Sequence, residues 1–114
     1  MALAQTAVRR RGACCQVDVA LAPERAVAAA ALLKALADPM RLSILATLRR
    51  VREPVCICDF TATYALSQPT ISHHMGRLRA AGLVEAEKHG IWTYYRIADP
   101  LPPLVGPVLD ALGG

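Results

Sequence analysis

Residues 56–82, CICDFTATYALSQPTISHHMGRLRAAG, constrain the fold more than any other stretch of the chain. Two short helical patterns meet there at a tight Leu66-Ser67 turn. The Ser67 oxygen can accept from the first free backbone donors, and Pro69 stands where a helix tolerates a missing N–H, so the second helix starts at this point. Inside it Ile71, Met75 and Leu78 recur at helical spacing and form a buried stripe, which leaves Thr70, Ser72, His73 and Arg77 off that stripe. A helix that packs on one side and is polar on the other, set behind a short helix and a turn, has the form of a helix-turn-helix reader, narrow enough for the major groove of DNA.

The flanking segments read as supports for this unit. Pro23 to Ala37 is alanine-rich with Val27, Leu32, Leu33 and Leu36, a strong helix that should be largely buried. Asp38 caps a second helix with Pro39 at its first position, and Met40, Leu42, Ile44, Leu45 and Leu48 make it the central core helix. Arg49, Arg50 and Arg52 at its end suit either a helix C-terminus or phosphate. After Gly82, LVEAEKHGIWTYYRI predicts two strands with a turn at His89-Gly90, a β-hairpin wing. In the tail, Leu101, Leu104, Val105, Val108 and Leu112 recur at helical spacing, although Pro102 and Pro103 limit where that helix begins. An apolar helix at a chain end needs a partner, so the first and last helices together are the expected dimer interface, which suits a DNA site made of two half-sites. The chain thus divides into a mobile N-terminal arm, residues 1–20, and a winged helix-turn-helix unit for DNA binding and dimerisation, residues 21–114.

Charge and size agree with this scheme without requiring it. The chain has 114 residues and only 4% aromatics, so aliphatic helices must supply most of one domain's core. Its net charge of +4 fits a phosphate-bearing partner. No segment reaches the roughly 20 apolar residues of a membrane span, and MALAQTAVRRRG lacks the apolar centre of a secretory signal, so a cytosolic protein is expected. In that compartment Cys14, Cys15, Cys56 and Cys58, grouped as two close pairs, point to metal or redox chemistry rather than structural disulfides.

The segments ALADPMRLSIL, CICDF, LSQPTISHHMGRLRAAGLVE and GIWTYYRI, in that order over residues 30–97, closely resemble the ArsR/SmtB family of winged-helix metalloregulatory repressors. The resemblance implies a mainly α fold with a small β-hairpin, and a homodimer that represses its operon and leaves operator DNA when a toxic metal or metalloid binds. CICD is similar to the thiolate motif of arsenic, cadmium and lead sensors, which carries over to Cys56 and Cys58, and the vicinal Cys14-Cys15 looks like the arm of arsenic-responsive members. One family pattern has a further cysteine three residues after the second, where this chain has Thr61, so the third ligand is expected from Cys14 or Cys15. The last helix holds Asp110 and no histidine, which disfavours a zinc site of the type built there in some relatives.

Soft thiolates select soft ions: arsenite or antimonite can be held by three sulfurs, while cadmium or lead would use a fourth. Cys56 and Cys58 near a helix N-terminus, with Arg52 nearby, should have lowered thiol pKa values. The same thiols would also serve a redox sensor. An enzyme is not expected, since no glycine-rich or arginine-rich anion cradle surrounds either pair, and no organic cofactor is implied. His73 and His74 diverge by about 100° on a helix and do not suit one ion; His74 leans toward the packed side. The candidate DNA contacts are Ser67, Gln68, Thr70, Ser72, His73 and Arg77 on the second helix, with Lys88 and His89 at the wing tip. Arg9, Arg10 and Arg11 on the arm would add sequence-independent phosphate contacts.

Overall fold

Asp38 begins the central helix as its sequence requires: its Oδ2 accepts the Arg41 backbone N–H at 3.0 Å, with Pro39 in the first turn. The computed structural model describes residues 16–113, so Cys14, Cys15 and the arginines at 9–11 lie outside the described residues. The elements are α1 (Pro23–Leu36), α2 (Pro39–Val51), β1 (Val55–Cys56), α3 (Ile57–Tyr64), α4 (Gln68–Ala80), β2 (Val84–His89), β3 (Trp92–Ile97) and α5 (Val105–Ala111). This is the mainly α, winged helix-turn-helix arrangement that the sequence predicts. Among the described residues no helix is long and apolar enough to cross a membrane.

The core is aliphatic, as the scarcity of aromatics demands. Ile44, Leu45 and Leu48 of α2 meet Ile71, Met75 and Leu78 of α4, with Phe60, Leu83, Val105 and Leu109 closing the cluster. Complete burial of the Ile71-Met75-Leu78 stripe fixes the rotation of α4 and turns its polar flank outward. The helix then ends in a Schellman arrangement: Gly82 has φ +75°, its N–H donates to the Arg79 carbonyl at 3.0 Å, and the Leu83 N–H donates to that of Leu78 at 2.9 Å. Glycine is required there because the left-handed conformation disfavours a side chain.

The structure corrects or extends the expectations at four points. The alanine-rich α1 is not largely buried: only Leu36 is, while Val27 is 71% and Leu33 45% exposed, because a single chain offers one flank to cover it. The wing turns at Gly90-Ile91 and not at His89-Gly90, since His89 pairs with Trp92. Gly90 alone of the two loop residues has positive φ, +65°, as a II′ hairpin requires. A third strand, β1, joins the sheet in the order β1-β3-β2, Val55 opposite Tyr95 and Cys56 opposite Tyr94, all antiparallel. Finally, the tail helix begins only at Val105, after Pro102 and Pro103, and turns Val105 and Leu109 into the chain's own core. Val108 is half-buried against that core, which leaves Leu104 and Leu112 outward.

Candidate functional site

The turn between α3 and α4 spans Ala65, Leu66 and Ser67, with Ala65 at φ 54° closing α3. Ser67 Oγ accepts the Thr70 backbone N–H at 3.3 Å and lies 2.9 Å from Thr70 Oγ1, so these two side chains are shared between capping and the exposed surface. Gln68, Ser72, His73 and Arg77 are exposed on the same helix. His74 is half-buried, its Nδ1 3.3 Å from Arg41 Nη1 and 3.8 Å from Asp38 Oδ2. Its ring is edge-on to that of His73 with centroids 5.9 Å apart, and the two imidazoles face different surroundings, as helical spacing predicts.

At the wing tip Lys88 and His89 are exposed, His89 standing edge-on to Tyr94 at 5.1 Å and its Nε2 3.6 Å from a Glu87 oxygen. Sequence reasoning missed the two residues that protrude beside them, Ile91 at 88% and Trp92 at 47% exposure. Their signal was the two-residue turn itself, which places whatever follows Gly90 at the apex. Of the arginines closing α2, Arg49 takes a structural role: it pairs with Asp110 at 2.6 Å and donates to the Gly106 carbonyl at 3.3 Å, tying α2 to α5. Arg49 and Arg52 line an open groove of about 610 Å³ with Arg96, which itself pairs with Glu85 at 2.7 Å.

Cys56 and Cys58 are brought together. Cys56 ends β1 and caps α3, buried beside the wing, and its Sγ accepts the Cys58 N–H at 3.4 Å. The Cys58 thiol is exposed, with its Sγ 2.8 Å from Cys56 Sγ. The expected acidification does not hold for Cys58: its pKa is raised, first by the hydrogen bond from its own thiol to Cys56, then by desolvation and by the neighbouring Cys56 and Asp59 charges. These together outweigh the one influence that lowers it, a backbone hydrogen bond. Two soft donors, one open to solvent, fit a thiophilic ion, although with metal–sulfur bonds of about 2.3 Å the pair must open by about an ångström to hold one. Among the described residues no group of three His, Cys, Asp or Glu side chains gathers to complete a site.

Comparison with known proteins gives a consistent result. Residues 38–86 match the model of bacterial regulatory proteins of the arsR family. A helix-turn-helix-type transcriptional regulator of Methanocaldococcus jannaschii is 44% identical over 71 residues, 62% of this chain and 79% of that protein. The arsenical resistance operon repressor of Escherichia coli is 38% identical over 79 residues, 69% of this chain and 67% of that protein. Among solved structures, the homodimeric winged helix-turn-helix DNA-binding domain Mb0332 of Mycobacterium bovis superposes with a TM-score of 0.63 at 26% identity, covering 84% of this chain and 87% of that one.

Proposed function

The chain belongs to the arsR family of bacterial regulatory proteins, and from that membership we propose a homodimeric repressor that leaves its operator when arsenite or antimonite binds Cys56 and Cys58. Transcriptional repression by binding operator DNA follows from the family, and an enzymatic role does not. The specific inducer rests chiefly on one observation: two sulfurs 2.8 Å apart open the helix that precedes the outward-facing α4. The name of the arsenical repressor among the relatives points the same way.

Cys56 belongs at once to the β1–β3 ladder, opposite Tyr94, and to the cap of α3. An ion that spreads the two sulfurs therefore acts on the wing and on the helix-turn-helix together. A third sulfur from Cys14 or Cys15 would complete a pyramidal site and draw the arm onto α3; ordering that segment costs on the order of 1–2 kcal/mol per residue, which metal–thiolate bonds offset. In the proposed interface Gln68, Thr70, Ser72 and His73 read base edges, with Ser67, Arg77, Lys88 and His89 on sugar and phosphate.

Gel shift with a selected operator, repeated with arsenite, antimonite, cadmium, lead and zinc, tests the reading. Release by arsenite or antimonite is expected, and Cys56→Ser or Cys58→Ser should bind operator normally yet ignore inducer. Release of the doubly substituted protein at the unaltered protein's arsenite concentration would place the site elsewhere. Coupling is reciprocal, so operator should weaken inducer affinity by the same factor by which inducer weakens operator affinity, about 5–150-fold. The closeness of the sulfurs also favours a second reading, a thiol-redox sensor, for which peroxide and not arsenite would release DNA and mass spectrometry would find a Cys56–Cys58 disulfide.

A further inference from the structure

One polar junction ties three helices together. The Arg41 side chain leaves α2 and donates through Nε to the Ala35 carbonyl at 2.7 Å and through Nη2 to the Lys34 carbonyl at 3.4 Å, both in the last turn of α1. The Lys34 carbonyl also takes the Ala37 N–H of the helix cap at 3.3 Å, and a cation at this helix end is favoured by the helix dipole. The third nitrogen of Arg41, Nη1, is 3.3 Å from Nδ1 of His74 on α4. A guanidinium can only donate, so Nδ1 is the acceptor of this contact. Asp38 holds the junction from the other side, its Oδ2 taking the Arg41 backbone N–H at 3.0 Å while standing 3.8 Å from His74.

We infer that Arg41 and His74 are positioning residues that set the tilt of α4 against α1, and through it the separation of the two reading helices across the dimer. The inference rests on the reading of α1 as a dimer helix and α4 as the DNA reader. Three side-chain nitrogens in one rigid fork address two helices at once, and a lysine ammonium in the same place cannot span those acceptors with fixed geometry. His74 turns away from the exposed face of α4, so it acts on DNA through the placement of its helix and not by touching a base. Neither residue belongs to the thiol site.

The test uses duplexes selected by the unaltered full-length protein from a random-sequence pool, then remade with one base pair added or removed between half-sites. The unaltered protein should prefer its own spacing. His74→Ala and Arg41→Lys should each lose about fivefold or more of that preference, with affinity for a single half-site unchanged. His74→Asn, whose amide oxygen can stand near the place of Nδ1, should restore it, and melting curves would expose any folding defect directly. A His74→Ala protein that keeps the full spacing preference, or that loses affinity equally at every spacing, overturns the inference. If selection with the unaltered protein yields no paired half-sites, the dimeric reading itself fails and takes the inference with it.

Discussion

Ser67 serves two ends, since the oxygen that caps α4 also lies beside Thr70 on the surface proposed to meet DNA. Ser67→Ala should therefore cost about 1 kcal/mol of stability, measurable as a lower melting temperature, besides any effect on operator binding. By contrast, replacing Gln68, Thr70, Ser72 and His73 together by alanine should relax sequence preference, with each good base contact worth about 1–3 kcal/mol. If the four-fold variant still discriminates operator from random DNA as the unaltered protein does, α4 is not the reader. Asp38 gives the acid side of the stability profile. The Arg41 backbone N–H, ahead of the opposing desolvation, holds its carboxyl below the ordinary value, with the nearby Arg41 charge helping. A group depressed on folding stabilises above its unfolded pKa of about 3.9, and that contribution disappears as pH falls through the folded value. Asp38→Asn should accordingly flatten the loss of stability below about pH 4 in acid titrations followed by circular dichroism. Caps and stripes of this kind are legible in sequence because they depend on neighbours three or four positions away. The raised pKa of Cys58 was not, because it depends on where a second sulfur points.

At the level of elements, the strongly periodic stretches appear where the pattern puts them, and the failures have physical causes. β1 is two residues long, too short to carry a period, and exists only because β3 offers an open edge. The tail pattern of Leu101 to Leu112 is shortened at its start by prolines, and the packing of α5 on α2 chooses Val105 and Leu109 as its inner face. Helix α4 itself contains an avoidable weakness. Gly76 is exposed in mid-helix with nothing within 4 Å of an added methyl, so Gly76→Ala should stabilise the protein by about 0.5–1 kcal/mol in chemical denaturation. A loss of operator affinity in that variant, at intact stability, would mean that DNA approaches the backbone closely at this position.

Across the whole molecule, Val27 and Leu33 on α1 and Leu104 and Leu112 near α5 form apolar surface that the described residues leave uncovered. The composition of these helices was legible in the sequence as a need for burial; which flank would be met within the chain and which from outside was not. Leu33→Glu should split the proposed dimer at micromolar concentration in sedimentation velocity, and Val27→Glu likewise. The half-buried Val108 is a poorer probe, since a charge there also disturbs the chain's own core. A heavier species that survives both α1 changes would move the interface elsewhere. The wing carries a different kind of consequence. Trp92 is the chain's one tryptophan and sits half-exposed beside the hairpin apex, so light absorbed selectively by indole is absorbed at a single place. Emission from the unmodified protein is thus a local signal, and its quenching in stopped flow would time the proposed arrival of the wing at DNA separately from that of the proposed reading helix.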